Sequence, residues 1–259
     1  MKTAILNRLN RIAEKQGIRI LYACESGSRA WQFPSPDSDY DVRFIYAKPH
    51  NSYLSITEPR AQLSFPIVND IDIYGWDIRK VLQLIRKSNT TPFEWLQSPE
   101  VYAQEDGFRD ALWELCGQYF NQRSNIHHYL GIAFGALETV NDNDEITIKK
   151  LFYIIRPLLA AKWCFENNTI APMTIEPLMT LLPESLRSQV QELIQLKSTV
   201  VEDYTFRMPD ELRSYIDREI KSTLAAARFI RSRTFGAGPL DAFFQQTIRR
   251  HDYTGDKIE

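Results

Sequence analysis

Two aspartates separated by one residue, Asp39 and Asp41, stand at the start of an apolar, strand-like segment, DVRFIYA (41–47). Side chains alternate across a β-strand, so residues i and i+2 project from the same face and these two carboxylates converge. Two carboxylates at this spacing repel each other unless a cation lies between them. The segment therefore predicts a sheet with a cation beside it. Asp37, two residues earlier, is typical of an Asx turn, and we assign it that role.

The spacing of apolar residues predicts an α+β protein. Helical spacing predicts a helix at 2–15, and apolar or alternating runs predict strands at 18–24, 41–47 and 69–75. The period then changes to that of amphipathic helices, which we predict at 76–88, 93–98, 107–120, 122–140, 145–167, 174–182, 184–198 and 209–233. We expect a catalytic domain with a mixed sheet at 1–105, a C-terminal helical bundle at 106–235, and a polar, partly loosely held tail at 236–259.

Composition limits the classes of protein to consider. The 259 residues carry a formal net charge of −2, so nucleic acid or an anionic membrane would have to bind a local patch. The three cysteines lack the spacing of a zinc site or a disulfide framework. The N-terminus lacks the apolar core of a secretory signal, and the longest apolar run is broken by charged residues and a proline. We expect a cytoplasmic protein with no membrane span.

A third strand carboxylate makes a metal site plausible. Asp72 lies between two isoleucines in the predicted strand NDIDIYG (69–75), where a buried charge without a partner would cost free energy. Asp70, two residues earlier, is the alternative third ligand. Carboxylate oxygens suit Mg²⁺, especially when substrate phosphates complete its coordination shell. Three carboxylates on neighbouring strands predict two metal ions roughly 3.5–4 Å apart, an arrangement used in phosphoryl transfer.

A Gly-Ser turn follows the first predicted strand. Gly27 permits close backbone approach, Ser28 carries a hydroxyl, and the start of a short helix presents free N–H groups to phosphate. Such a pair alone is more often an ordinary turn. Arg29 is a candidate phosphate ligand, with a structural ion pair as the equal alternative. The order of the parts, a strand, a Gly-Ser turn, Asp-x-Asp and a later strand aspartate, favours a site for a nucleoside triphosphate (NTP) with magnesium.

This constellation resembles the signature of the DNA polymerase beta-type nucleotidyltransferase superfamily. The longer strings ESGSRAWQFPSPDSDYDVRFIY, DIDIYGWDIRKVLQLIRKSN, EWLQSP and VY resemble a predicted bacterial and phage nucleotidyltransferase family associated with RNA ligases and RNA repair. The match is dense over 20–102 and thinner over 148–163. Many members carry Gly in place of Gln32, and Asn-Pro where this chain continues from Asn89 into Thr90-Thr91. Neither departure touches a carboxylate.

The resemblance implies a polymerase beta-like nucleotidyltransferase domain and the mechanism of that superfamily. Asp39 and Asp41 would hold both metals, and Asp72 would hold the metal that activates the acceptor hydroxyl. Gly27 and Ser28 would bind the triphosphate. The reaction would join a nucleoside monophosphate to an acceptor and release pyrophosphate.

Further nucleotide-binding candidates lie on the predicted helix 145–167. Lys149 and Lys150 are the basic candidates, and Lys149 shares a helix face with Arg156. Tyr153 lies on the same side as Lys149 and is a candidate for stacking on a base. The alternatives are a solvated helix face for the lysines and core packing for the tyrosine. We expect His127 and His128 to be packing or surface residues.

Three functions remain open from the sequence. The first is nucleotidyl transfer to an RNA end, with an RNA ligase as a candidate partner. The second is transfer to a protein side chain or to a small molecule such as an antibiotic. The third is a non-catalytic module that binds nucleotide or RNA, which the complete carboxylate set disfavours because such a module does not need Asp72.

Overall fold

A computed structural model describes residues 1–140 and 145–252 of the chain. The elements of its first half are α1 (Lys2–Gln16), β1 (Arg19–Glu25), α2 (Gly27–Ala30), β2 (Tyr40–Ala47), α3 (His50–Tyr53), β3 (Gln62–Ser64), β4 (Ile71–Asp77), α4 (Ile78–Arg86), α5 (Thr90–Leu96), β5 (Val101–Gln104) and α6 (Phe108–Gln118). Those of its second half are α7 (Gln122–Leu137), β6 (Glu145–Thr147), α8 (Ile148–Asn167), α9 (Ile175–Met179), α10 (Glu184–Lys197), β7 (Thr205–Arg207), α11 (Asp210–Ala227) and α12 (Gly238–Asp252).

The chain forms two compact units, and each is built from more than one segment. Unit 1 comprises 1–27, 39–119 and 234–259, and unit 2 comprises 28–38 and 120–233. These bounds differ from the predicted 1–105, 106–235 and 236–259 because contacts, and not chain order, define a unit. In particular, the segment 28–38 leaves the sheet unit, and α6 belongs with the sheet.

A five-stranded mixed sheet organises unit 1. Its strand order is β3-β4-β2-β1-β5, with β2 parallel to β4 and the other neighbours antiparallel. Ile71 and Ile73 of β4 are buried, as the alternating sequence predicts. The strand begins two residues later than predicted because Asn69 and Asp70 both have positive φ angles, 53° and 59°. The two preceding residues therefore form a turn.

Helices cover the sheet of unit 1 through their apolar faces. In α1, Ile5, Leu9 and Ile12 are buried at helical spacing, and Gly17 ends the helix in the left-handed conformation. Asp77 begins α4 by accepting a hydrogen bond from the backbone N–H of Arg79. Burial raises the pKa of the Asp77 carboxyl.

Helix α12 lies within the segment that the sequence analysis treated as a tail. It packs against α3, α4 and β2 of unit 1. Leu240 and Ile248 are buried, and Phe244 makes an edge contact with Tyr53 at 5.2 Å between ring centroids. Residues 238–252 are therefore a packed part of unit 1, and the predicted tail contains this helix. Residues 253–259 lie outside the described part of the chain.

Unit 2 is a helical bundle with a two-stranded β6-β7 ribbon. The long helices α7, α8 and α11 enclose its core, which includes Leu151, Leu158 and Ile216. Thr147 begins α8 by accepting a hydrogen bond from the backbone N–H of Lys150. The predicted helix 145–167 therefore loses its first three residues to β6. Residues this few cannot show periodicity, so the ribbon was not predictable from pattern.

The α+β architecture with a mixed sheet and a helical bundle is confirmed.

Within 1–140 and 145–252, none of the helices is both long enough and apolar enough to span a membrane. Cys24, Cys116 and Cys164 are buried and form no disulfide, and burial raises the pKa of the Cys24 thiol to about 12.

Candidate active site

Asp41 and Asp72 lie side by side on the parallel strands β2 and β4. They are register partners, so their side chains leave the same face of the sheet. Arg43, two residues after Asp41, projects from that face as well. Its Nη2 lies 2.6 Å from Oδ1 of Asp41 and 2.8 Å from Oδ2 of Asp72. One oxygen of each carboxylate therefore points to a common cationic position.

Gly27 lies directly against Asp41. Its φ angle is +60°, and a Cβ atom at this position would lie 2.0 Å from Oδ2 of Asp41. The backbone N–H of Ser26 also donates to the carbonyl of Asp41, at 2.8 Å. Only glycine satisfies both the left-handed conformation and this close approach. The predicted Gly-Ser turn is thus held beside the predicted strand carboxylate.

Glu25, at the end of β1, is buried and forms a hydrogen bond with the backbone of Asp41. The residue is 2% exposed, and its Oε1 accepts the backbone N–H of Asp41 at 2.6 Å. The hydroxyl of Tyr102 donates to Oε2 of Glu25. Burial, together with this carboxylate, raises the pKa of Tyr102 above its ordinary range. Glu25 therefore fixes the backbone of Asp41 and is itself too buried to face a substrate.

The other predicted carboxylates take different positions. Asp39 is exposed and immediately precedes β2. Asp70 is exposed in the turn before β4, where its carbonyl accepts the N–H of Tyr40, so it does not share a strand face with Asp72. Among the described residues, no three His, Cys, Asp or Glu side chains are gathered as a metal site. The structure thus brings together Asp41 and Asp72, and not the full predicted trio.

Two converging carboxylate oxygens suit a hard divalent cation. Mg²⁺ is usually held by one or two carboxylates, with water and substrate phosphates completing its shell. Asp41 Oδ1 and Asp72 Oδ2 already share one cationic partner, Nη2 of Arg43. The donor set of this sheet face therefore fits Mg²⁺.

Ser28 belongs to unit 2 and begins a chain of hydroxyl hydrogen bonds. Its Oγ donates to Oγ of Ser38 at 3.0 Å, and Ser38 donates to Oε1 of Glu202 at 2.7 Å. Since a carboxylate only accepts, the hydrogen of Ser28 is directed to Ser38. Arg29 donates through Nη2 to the carbonyl of Ser38, at 2.7 Å. These bonds hold the segment 28–38 in one conformation.

The three candidates on α8 have different surroundings. Lys149 forms an ion pair with Glu202, at 2.5 Å from Oε2. Lys150 is exposed and follows the cap of α8. Tyr153 packs edge-on against Trp31, at 5.4 Å between ring centroids. Tyr153 is half-buried, and its ring contacts the segment 28–38 in unit 2.

Arg156 has a structural role in unit 2. It is 2% exposed, its guanidinium lies 4.7 Å from the ring centroid of Trp31, and it donates to the carbonyl of Met173. These contacts hold Trp31, and with it the segment 28–38, against α8.

Glu202 connects the segment 28–38 to two lysines. Its backbone N–H donates to the carboxylate of Asp37, at 3.0 Å. Lys197, 1% exposed, lies 4.0 Å from Oε1 of Glu202 and donates to Oγ of Ser35. Burial alone would raise the pKa of Glu202, but the hydrogen bonds and charges of its partners lower it overall. Burial lowers the pKa of Lys197.

Comparison with known families decides where the chain belongs. The family model described as RlaP, RNA repair pathway DNA polymerase beta family, matches residues 1–246. The chain belongs to this family. The match includes residues of both units, among them α12 up to residue 246.

Two similar proteins place this member of the RNA repair pathway DNA polymerase beta family. The uncharacterized protein YcgL of Bacillus subtilis (strain 168) is 39% identical over 236 residues, which cover 90% of each chain. A crystal structure of a nucleotidyltransferase-like protein from Exiguobacterium sibiricum 255-15 is 9% identical and has a TM-score of 0.31. It covers 86% of this chain and 77% of that chain.

Sequence reasoning missed three residues of this RNA repair family member that contact the predicted ones. Arg43 obeys the same alternation as Asp41, but a search for acidic ligands passes over it. Glu25 could have been noticed as an acid at the end of a buried strand. Glu202 left no local signal, because it lies 164 residues from Ser38, its hydrogen-bond partner.

Proposed function

We propose that this protein is a Mg²⁺-dependent nucleotidyltransferase that moves a nucleoside monophosphate from an NTP to an acceptor hydroxyl. One observation carries the proposal: Asp41 Oδ1 and Asp72 Oδ2, on adjacent parallel strands, point to one cationic position. The backbone of Gly27 lies against the first of these carboxylates. Membership of the RNA repair pathway DNA polymerase beta family supports the same chemistry.

Asp41 and Asp72 would hold Mg²⁺, with Asp39 as the third candidate ligand for a two-metal site. When bound, the metal would neutralise charge on the phosphates and lower the pKa of the acceptor hydroxyl. Glu25 keeps the backbone of Asp41 in place, and Gly27 leaves room beside its carboxylate. In the reaction the acceptor loses its proton, its oxygen bonds to the α-phosphorus, and the bond from that phosphorus to pyrophosphate breaks.

Gly27, Ser28, Arg29, Lys149 and Lys150 are the proposed ligands of the triphosphate. Free N–H groups at the start of α2 suit phosphate oxygens. The hydroxyl hydrogen of Ser28 is already donated to Ser38, so we assign phosphate binding at Ser28 to its backbone N–H. The ion pair with Glu202 holds Lys149 in position.

Tyr153 is the remaining nucleotide-binding candidate, as a residue that could stack on the base. Its ring packs against Trp31 in unit 2, so we assign it to positioning that segment and keep base stacking as the alternative.

An RNA end is the proposed acceptor, and an RNA ligase is the candidate partner. The RNA acceptor rests on the description of the family as belonging to an RNA repair pathway. The ligase partner rests on the resemblance to nucleotidyltransferases associated with RNA ligases. We propose that the protein works in the cytoplasm, where the thiols of Cys24, Cys116 and Cys164 would stay reduced. Transfer to a protein or a small molecule would use the same carboxylates, so the acceptor has to be identified by experiment.

The test is transfer of label from α-³²P NTP, in the presence of Mg²⁺, to total RNA, to protein and to small-molecule acceptors. We expect labelled RNA with the wild type and at least about 100-fold less with Asp41→Asn or Asp72→Asn, because each loses a charged metal ligand. Asp70→Asn is the matched control and should retain activity, since Asp70 lies outside β4.

Digestion of the product separates the acceptor classes. Label removed by ribonuclease supports the proposal, whereas label removed only by protease would move the acceptor to protein. Equal labelling by the wild type and both carboxylate variants would refute the site.

A further inference from the structure

We infer that Arg43 is a resident cation that competes with the divalent metal for Asp41 and Asp72, and so keeps the bare ion weakly bound. The inference rests on the proposed function, because it concerns the same two carboxylates. It adds a residue that determines in what form the metal enters the site.

The contacts of Arg43 show how completely it engages the two carboxylates. Nη2 bridges Asp41 Oδ1 and Asp72 Oδ2, at 2.6 and 2.8 Å. Nη1 donates to the backbone carbonyls of Val42 and Asp72, at 3.2 and 3.1 Å. The side chains are partly shielded from water, at 17% exposed for Arg43, 27% for Asp41 and 30% for Asp72. Charge-assisted hydrogen bonds of this kind are among the stronger ones in proteins.

Arg43 competes with a metal ion for the position on which Asp41 Oδ1 and Asp72 Oδ2 converge. Mg²⁺ binds oxygen at about 2.0–2.1 Å and demands near-octahedral geometry, so an ion held by these two oxygens together would crowd Nη2 of Arg43. Two cations at such short range also repel each other. An ion bound between these two oxygens would therefore require the guanidinium to release them. That release costs the two charge-assisted hydrogen bonds.

An NTP changes this balance because it brings its own anions. Guanidinium groups bind phosphate oxygens as readily as carboxylates. When a metal arrives on a triphosphate, Arg43 gains a new partner in exchange for the carboxylates it gives up. A metal ion without nucleotide brings no phosphate to which Arg43 could bind in place of the carboxylates. Arg43 thus selects the metal–nucleotide complex over the free metal.

The experiment measures binding of Mn²⁺ alone, by electron paramagnetic resonance of the free ion, without nucleotide or turnover. We expect Arg43→Gln to bind Mn²⁺ at least about 10-fold more tightly than the wild type, because the competing charge is gone. Arg43→Lys, which keeps the charge, should stay within about threefold of the wild type. Asp41→Asn should bind Mn²⁺ weakly, both as a single substitution and together with Arg43→Gln.

Arg8→Gln is the matched control. Arg8 lies in the same unit and donates only to the backbone carbonyls of Ile71 and Pro66, so its loss removes the same charge without touching either aspartate. We expect Arg8→Gln to leave the Mn²⁺ affinity unchanged. An equal gain in Arg8→Gln and Arg43→Gln would reduce the effect to general electrostatics and overturn the inference.

The outcomes separate this inference from the proposed function. Unchanged or weaker Mn²⁺ binding in Arg43→Gln, with loss in Asp41→Asn, would overturn the role of Arg43 and leave the metal site standing. Absence of binding in the wild type and in Arg43→Gln alike would refute the metal site itself. Arg43→Met is the second neutral variant, and its Mn²⁺-induced rise in Tm should exceed that of the wild type; an equal rise would contradict the inference.

Discussion

Two features of the structure require a glycine at position 27. Its φ angle of +60° is unfavourable for any residue with a Cβ, and that Cβ would stand 2.0 Å from a carboxylate oxygen of Asp41. A side chain here would have to displace a proposed metal ligand. The glycine therefore ties the turn after β1 to the chemistry of β2.

We predict that Gly27→Ala abolishes nucleotide transfer and lowers the free energy of unfolding by more than backbone strain alone explains. Gly17→Ala is the control, since Gly17 has a φ of +58° with open space around the missing Cβ. The control should cost about 1 kcal/mol. Gly27→Ala should cost about 1–3 kcal/mol more, because the methyl group overlaps Asp41. Denaturant unfolding and the transfer assay measure both effects. Equal costs at the two glycines would contradict the close approach.

Glu202 links the segment 28–38 to the helical bundle through a carboxylate whose pKa is lowered from its usual 4.5. A carboxylate with a depressed pKa contributes stability that is fully present above its unfolded pKa and is lost as the pH falls through the folded one. The stabilising contribution of Glu202 should therefore be complete at neutral pH and decline below about pH 4.5.

We predict that Glu202→Gln destabilises the protein by about 1–2 kcal/mol at pH 7 and weakens NTP binding, since the segment bearing Ser28 is held less firmly. The stability difference from the wild type should shrink as the pH falls below 4.5. Urea unfolding between pH 7 and pH 3 measures the first effect, and nucleotide titration the second.

Glu219→Gln provides the comparison for Glu202→Gln. Glu219 forms an ion pair with Lys162 at 3.0 Å and has the same side-chain exposure as Glu202, 16%. It should lose similar stability without a change in NTP affinity. NTP binding that falls equally in both variants would mean that Glu202 acts only through general stability.

At the scale of elements, α12 stabilises the sheet unit from the far end of the chain. Leu240 is 3% exposed, and the helix packs on α3, α4 and β2. Phe244 also receives the guanidinium of Arg79, at 5.3 Å from its ring centroid. The last helix is therefore a structural part of unit 1.

We predict that Leu240→Ala lowers the free energy of unfolding by about 2–5 kcal/mol, the usual cost of removing a buried leucine. Leu54→Ala makes the same change in the same unit at a residue that is 70% exposed, and should cost under about 0.5 kcal/mol. Chemical denaturation of both variants gives the comparison. Similar, small losses would mean that α12 is dispensable.

Element length decided which parts of the fold were predictable. Periodic apolar residues predict the strands β1, β2 and β4 and the long helices. By contrast, β3, β6 and β7 have three residues each, too few for a period. Helix α12 was missed because its polar residues and flanking glycines suggested a tail, whereas its few apolar residues are enough to bury one face.

At the scale of the whole molecule, contact units do not follow chain order. The segment 28–38 belongs to unit 2 although both its neighbours in the chain belong to unit 1. Phe33 explains this, because it is 2% exposed and stacks on Phe152 of α8, at 4.7 Å between ring centroids. No periodic pattern reveals such a long-range contact. Strand alternation, in contrast, is a local rule, and it predicted Asp41 and Asp72 as strand residues, whereas their register was visible only in the structure.

The proposed transfer breaks the NTP between its α- and β-phosphates, and not at the γ-phosphate. Parallel reactions with α-³²P and γ-³²P NTP, in Mg²⁺ and with the same RNA, test it directly. We predict α label on the acceptor and γ label in pyrophosphate, in equal amounts, with both products lost in Asp41→Asn. Transfer of γ label to the acceptor, or products that persist unchanged in Asp41→Asn, would contradict it.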